Sequence, residues 1–348
     1  MTDWFWPTTK KAQLEYVFGL RLSPSQRKEC LRNLGKVSHV VHTYAKRHVP
    51  TIDRVMTGGS VGKGTASSKS SDLDLVVFVK ELQPKDMKKV VPKILGEIRA
   101  AMDEQYPGTR DPAWPEKFGL RYIIDSMEID IVIASTMIQP KDFLNVKDSE
   151  QRQYMSSSVS HFQKRFMNKQ GFVFKDMVRV LKDWRDSYDN WPKQSKPKSY
   201  LLELLLLHSY RQCFPQFFRN PKDPNQLAYY PNLTLYKREW TTLLMTFFEL
   251  VGNVEPYQKG KMYNKDTISL LVHFATYYTY DEIPLNTAEP LFLSRRKVGS
   301  DRRGKTKSRW ANAIILDPAN PTNNLWHTLA DAKPFISRAK STAEQLSR

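Results

Sequence analysis

Cysteine is nearly absent from this chain. Of its 348 residues only Cys30 and Cys213 are cysteines, too few and too far apart for a disulfide framework or for a zinc site built from clustered thiolates. A reducing compartment, the cytoplasm, suits such a chain. Long apolar runs are missing too: the strongest, Tyr200 to Leu207, is broken by Glu203 and falls well short of the ~20 residues that a bilayer crossing needs. The opening Met-Thr-Asp-Trp-Phe-Trp-Pro has no basic stretch leading into an apolar one, so neither a secretory leader nor a membrane partner is expected. Acidic residues are in deficit, 36 Asp plus Glu against 54 Lys plus Arg, which leaves a formal net charge of +18. That surplus attracts polyanions, nucleic acid and nucleotides among them. Apolar content is not lacking. At 40% hydrophobic and 12% aromatic, the composition implies a packed core in one large domain or two moderate ones.

Ser23-Pro24-Ser25-Gln26 predicts a helix start, with Ser23 as N-cap, Pro24 at the first helical position and Gln26 closing a capping box. Beyond it Leu31, Leu34, Val37, Val41 and Tyr44 recur at helical spacing, while Arg27, Lys28, Arg32, Lys36, Lys46 and Arg47 fill the other faces. A solvated face is the plainer reading of those cations. From Arg54 the pattern turns to short β-type runs: one entering Gly58-Gly59-Ser60, then Leu73 to Val79, Leu120 to Ile124 and Met127 to Ala134. A helical stretch from Pro84 to Tyr106 separates the second from the third. From about Ser156 the signal is mainly helical, with Phe174, Met177, Val178, Leu181 and Trp184 on one stripe, then Leu201 to Leu207 and Trp240 to Val251. The expected division is a mixed α/β part over 1–155 and a helix-rich part over 156–348, with Arg295 to Arg309 as a long basic loop.

The informative segment is Thr57-Gly58-Gly59-Ser60-Val61-Gly62-Lys63-Gly64-Thr65, followed by Ser71-Asp72-Leu73-Asp74-Leu75-Val76-Val77-Phe78. Its glycines permit close backbone approach, and such a turn can cradle phosphate oxygens. It is not a P-loop, because Thr57 stands where the first Gly would be and Gly64 follows the Lys where Ser or Thr is required. On a strand Asp72 and Asp74 project to one face, and so do Glu128 and Asp130 in the later run. Paired carboxylates repel unless a cation sits between them, and a hard divalent ion such as Mg²⁺ is the simplest occupant. If the two strands pair, Asp72, Asp74 and Asp130 form a catalytic triad able to hold two metals about 4 Å apart, the arrangement used for nucleotidyl transfer.

These motifs resemble the nucleotidyltransferases of the 2′-5′-oligoadenylate synthetase and cyclic GMP-AMP synthase-like receptor family, most of all the oligoadenylate synthetases. Arg179-x-x-Lys182-x-Trp184, Tyr200-x-Leu202-Glu203-Leu204-Leu205 and Ile315-Leu316-Asp317-Pro318-Ala319-x-Pro321-Thr322-x-Asn324-Leu325 extend the match, collinear from about residue 20 to 335. The resemblance implies a two-lobed, polymerase-beta-like α/β fold, a mixed-sheet catalytic lobe and a helix-rich C-terminal lobe, with the active site in the cleft between them and segment 311–325 returning near it. It also implies that Asp72, Asp74 and Asp130 bind two Mg²⁺ ions, for which Mn²⁺ can substitute. Gly59, Ser60, Lys63, Arg179, Lys182, Ser199 and Tyr200 would contact nucleotide. Tyr200 reads equally as a base-stacking aromatic or a helix-start core residue, and Asp317-Pro318 reads first as a turn.

Such enzymes are innate-immune sensors, inactive until double-stranded nucleic acid lies on a basic face. The resemblance therefore implies a double-stranded RNA activator held by Arg27, Lys28, Lys36, Lys46, Arg54, Lys164, Arg165 and Lys169, with the chain a monomer on RNA. Two distant cysteines cannot build the zinc insertion of the DNA-sensing relatives. The chain departs from the vertebrate oligoadenylate pattern at Asn168 and Phe172, at Ser199 where that pattern has Gln, and over Ser67 to Lys69. The first expectation for the product is a linear 2′-5′-oligoadenylate made from ATP. The alternatives are a cyclic dinucleotide such as 2′3′-cGAMP from ATP with GTP or another nucleoside triphosphate, RNA tailing of the poly(A) or terminal uridylyl type, and an inactive RNA-binding scaffold. The length is about that of one catalytic core, so the core itself is expected to be the sensor.

Overall fold

The computed structural model describes residues 4–49, 51–69, 72–192, 195–213, 219–220, 223–227, 239–254, 316–317 and 320–347. The basic loop expected over 295–309 lies outside them. Helix α1 (Lys10–Gly19) starts at Thr9, whose hydroxyl accepts the Ala12 N–H. The capping box forms as its residues require at the head of α2 (Pro24–Val40): the Ser23 hydroxyl accepts the Gln26 N–H at 3.2 Å, and the Gln26 side chain accepts the Ser23 N–H at 2.9 Å. A π-helical turn (Val41–Ala45) and the single turn α3 (Lys46–His48) continue it. The buried stripe of α2 is Cys30, Leu34, Val37 and Val40, so Leu31, expected inside, is exposed.

Two compact units result: Arg21–Asn168, and Met1–Leu20 with Lys169–Arg348. This differs from the division expected at 155/156, for physical reasons that lie in the ends. The Trp6 indole donates to the Thr241 hydroxyl at 3.1 Å and the Tyr16 hydroxyl to Asp183, which ties the N-terminal residues to the helical unit. His161 packs on Phe78 with ring centroids 5.5 Å apart, which ties residues beyond 155 to the sheet.

The sheet unit is built on β1 (Ile52–Thr57), β2 (Leu73–Val79), β3 (Gly119–Ile124) and β4 (Met127–Ser135), in the order β1-β2-β4-β3. Strands β2 and β4 run parallel and the other pairs antiparallel. Near-continuous Val, Ile and Leu make β2 and β4 suited to burial on both faces, and Leu73, Val77, Ile129 and Ile131 are fully buried. Between β1 and β2 lies the short helix α4 (Gly59–Lys63), and α5 (Met87–Gln105) follows β2, burying Val91, Leu95, Ile98 and Met102. Helices α6 (Ser149–Met155) and α7 (Ser160–Lys169) come after β4. On the sheet face that carries Val76, Phe78 and Ala134, His161 of α7 covers the ring of Phe78.

The helical unit contains α8 (Phe172–Asp186) and α9 (Ser199–Cys213), a hairpin of β5 (Arg219–Asn220) and β6 (Asp223–Leu227), α10 (Trp240–Gly252), a second hairpin of β7 (Leu316–Asp317) and β8 (Asn320–Asn324), and α11 (Lys333–Leu346). The expected α8 stripe is buried throughout. Its Trp184 lies 4.9 Å from Phe248 and 6.0 Å from Phe335 between ring centroids, and its indole donates to the Thr342 hydroxyl. Burying a ring of that size stabilises the unit by about 4–6 kcal/mol before entropy is counted. Helices α10 and α11 approach closely at Gly252, where a Cβ would stand 2.9 Å from the Cα of Lys340. Among the described residues no helix is long and apolar enough to cross a membrane.

Candidate functional site

Parallel pairing of β2 with β4 sets the site. Asp74 is the register partner of Asp130, so two of the three candidate carboxylates stand side by side on one sheet face. Asp72 lies just before β2 and is exposed, while Asp74 and Asp130 are half-buried. On the other side of Asp130, antiparallel pairing places Arg121 of β3 directly opposite. Its guanidinium donates to both Asp130 oxygens, at 2.6 and 2.8 Å, reaches Glu128 at 2.7 Å, and lies 3.7 Å from the centroid of the Trp114 ring. Such a fork is the strongest common side-chain pairing of a carboxylate. The pair with Asp130 also holds the Arg121 pKa above its ordinary value. Arg121 was not among the sequence candidates.

The glycine segment folds over Asp74. The Gly58 N–H donates to the Asp74 carbonyl at 2.8 Å, and Gly59 takes a φ of +50°, where a Cβ would overlap the Asp74 carboxylate. Only glycine fits there without strain. Gly62 is equally constrained, because a Cβ would overlap the Thr57 carbonyl. Of the expected nucleotide contacts in this segment, Gly59 and Ser60 are half-buried and Lys63 is buried, 8% exposed. The Lys164 ammonium donates to the Thr57 carbonyl at 2.9 Å, and burial pushes its pKa below the ordinary lysine value.

The remaining nucleotide candidates belong to the helical unit. Arg179 pairs with Asp176 at 2.8 Å and Lys182 is buried, 6% exposed. The Ser199 hydroxyl accepts from Arg185 at 3.0 Å, and the Tyr200 hydroxyl donates to Asp317 at 3.0 Å. Asp317, expected as a turn residue, thus ties β7 to the head of α9.

Among the expected RNA contacts, Arg27, Lys28, Lys46 and Arg165 are exposed. Lys36 is bound to Asp125 in the β3–β4 turn at 2.6 Å. Arg54 pairs with Asp53 and lies 4.4 Å over the Phe78 ring. Lys164 faces inward as described, and Lys169 ends α7.

Hard oxygen donors suit Mg²⁺ or Mn²⁺, and Asp74 beside Asp130 fits two ligands of such an ion. Arg121 takes both oxygens of Asp130, however, and among the described residues no three His, Cys, Asp or Glu side chains gather into a group that could hold a metal. A metal on these residues would therefore share Asp130 with Arg121 and compete with it for the carboxylate.

Two family descriptions match in tandem: "Nucleotidyltransferase domain" over residues 41–138 and "2′-5′-oligoadenylate synthetase 1, domain 2, C-terminus" over 138–217. The chain is 24% identical to human 2′-5′-oligoadenylate synthase 2 over 352 aligned residues, covering 88% of this chain and 42% of that protein. It is 22% identical to mouse 2′-5′-oligoadenylate synthase 1A over 325, covering 82% and 74%. It thus spans less than half the length of the human relative. Among solved structures, Cid1 in complex with its short product ApU matches with a TM-score of 0.61 at 15% identity, covering 97% of this chain and 93% of that one. CdnC of E. coli MS115-1 with ATP matches at 0.53 and 15%, covering 96% and 88%.

Proposed function

Because the chain belongs to the oligoadenylate synthetase and cyclic GMP-AMP synthase-like superfamily of nucleotidyltransferases, we propose that it joins nucleoside triphosphates through 2′-5′ bonds into a short nucleotide second messenger. Its fold is that of the polymerase-beta-like nucleotidyltransferases, a mixed-sheet unit and a helical unit, and the chain is a nucleotidyltransferase. The observation that carries the proposal is Asp74 paired in register with Asp130 beneath the Gly59 turn. Enzymes of this superfamily use divalent metals. Asp72, Asp74 and Asp130 would hold Mg²⁺, which when bound lowers the pKa of an attacking hydroxyl and neutralises a departing pyrophosphate. The Gly58–Lys63 turn would seat the triphosphate; Arg179, Lys182, Ser199 and Tyr200 are proposed as nucleotide contacts of the helical unit.

A cyclic dinucleotide ranks ahead of the linear chain, which reverses the first expectation. At 22–24% identity the relatives' names do not carry a product. Ser199, standing where the vertebrate oligoadenylate pattern has Gln, is held by Arg185, and this supports different acceptor handling. The motif resemblance to the oligoadenylate synthetases keeps the linear product as the second reading. The uridylyl transferase activity in the name of a Cid1 structure adds RNA tailing as a third outcome. We propose duplex RNA as activator, met by exposed Arg27, Lys28, Lys46 and Arg165, with phosphate contacts that make binding salt-dependent.

Incubation with all four ribonucleoside triphosphates and Mg²⁺, with and without duplex RNA, followed by mass spectrometry, tests this reading. A phosphatase-resistant dinucleotide without terminal phosphates, dependent on RNA and lost in Asp72→Asn, Asp74→Asn, is expected. Phosphatase-sensitive oligomers mean the linear product, an extended RNA 3′ end means tailing, and product unchanged by the double substitution refutes the carboxylate mechanism.

A further inference from the structure

Lys164 was expected on an RNA-binding face, yet its side chain turns into the sheet unit. Its ammonium donates at 2.9 Å to the carbonyl of Thr57, the last residue of β1, and its Cδ passes 3.6 Å from the point where a Cβ on Gly62 would stand. Thr57 is the hinge at which β1 gives way to α4. From there the Gly58 N–H reaches the Asp74 carbonyl at 2.8 Å and the Gly62 N–H the Gly58 carbonyl at 2.7 Å. One cation from α7 therefore holds the floor of the turn that packs on Asp74, and its stem runs alongside Gly62, where the Thr57 carbonyl leaves no room for a side chain.

We propose that Lys164 is a positioning residue of nucleotidyl transfer, acting through the Thr57 carbonyl to set the Gly58–Lys63 turn, and not an RNA contact. The inference rests on the proposed role of that turn in holding triphosphate. It links α7 to the carboxylate site by one hydrogen bond inside a single unit. Of the two neighbouring cations on α7, Arg165 is the exposed one and remains suited to polyanion contact.

The experiment measures ATP affinity by calorimetry and affinity for a blunt duplex RNA by fluorescence anisotropy, on the full chain, for wild type, Lys164→Met, Lys164→Gln, Arg165→Glu and Gly59→Ala. A hydrogen bond to a charged group is worth enough that losing it should weaken ATP binding about tenfold or more. The expected result is that loss in Lys164→Met, a smaller loss in Lys164→Gln, which keeps an N–H donor, and RNA affinity unchanged in both. Arg165→Glu should do the reverse, weakening RNA binding with ATP affinity intact. Wild-type ATP affinity in whichever Lys164 variant folds, or RNA affinity lost in place of ATP affinity, overturns the proposal. If Gly59→Ala also leaves ATP binding unchanged, the turn is not the triphosphate site and the underlying reading fails with it. If Gly59→Ala weakens ATP binding and the Lys164 variants do not, only the positioning role fails.

Discussion

Replacing Arg121 by Gln tests how the carboxylate site is held. The guanidinium gives Asp130 two hydrogen bonds, and the two side chains are only 17% and 18% exposed, so solvent screens the pair weakly. Glu128, nearly half exposed at 47%, adds little. Hydrogen bonds to charged groups contribute about 1.5–3 kcal/mol each, and two bonds in one fork do not add fully, so the loss in a metal-free protein should be about 3 kcal/mol. For a unit of this size each kcal/mol moves Tm by about 2–4 °C, which predicts a fall of about 10 °C. The variant also leaves Asp130, beside Asp74 on one side, without the guanidinium on its other side. A divalent ion should therefore stabilise the variant more than the wild type, where it competes with the guanidinium, and saturation to about a hundred times Kd would return about 2.7 kcal/mol. Thermal unfolding with chelator, Mg²⁺ and Mn²⁺, supported by Mn²⁺ calorimetry, reads both effects. Equal metal-induced shifts in the two proteins, or an unchanged metal-free Tm, would refute the view that Arg121 and a metal compete for Asp130.

Two further outcomes follow from the same unit. Gly59→Ala should push the Asp74 carboxylate aside, since the new Cβ overlaps it, and a displacement of about 1 Å at a reacting centre costs on the order of a hundredfold in rate; pyrophosphate release with a far-ultraviolet spectrum like wild type is the check. His161 is held below its ordinary pKa by burial first and then by Arg54 and Arg165, against the raising effect of the Ser158 carbonyl. The folded state thus takes a proton less readily than the unfolded one, so this group's contribution to stability is intact above about pH 6.5 and is lost as pH falls toward the folded value. The Tm difference between wild type and His161→Phe should shift against the wild type over that window, and a difference independent of pH would show that His161 does not titrate there.

Much of the sheet unit was legible because local chemistry and burial agree there. Ser23 and Gln26 can satisfy each other's backbone by starting a helix, and β2 was visible in the apolar run Leu73 to Val79, interrupted only by Asp74. Leu31 misled because helical spacing alone does not say which side of a stripe faces the core. Cys30, one residue away, took the buried place. The unit boundary was not legible either, since nothing local in Trp6 or Tyr16 names Thr241 and Asp183 as partners more than 150 residues away.

The two residues that most change the picture of the site differ in how visible they were. Asp125-Ser126, both with positive φ, form a two-residue turn between β3 and β4, and such a turn fixes hairpin register. Counting back from it pairs Ile124 with Met127 and hence Arg121 with Asp130. The guanidinium on the third carboxylate could therefore have been deduced from the sequence once the turn was recognised. Lys164 is the opposite case. A cation on an amphipathic helix reads as surface, and its partner is a main-chain carbonyl 107 positions earlier, which has no residue-type signature at all. Sequence reasoning finds groups whose chemistry is written in side chains. A carbonyl at the end of a strand becomes visible only when the fold brings a helix to it, and here that carbonyl lies at the base of the turn on which the proposed chemistry depends.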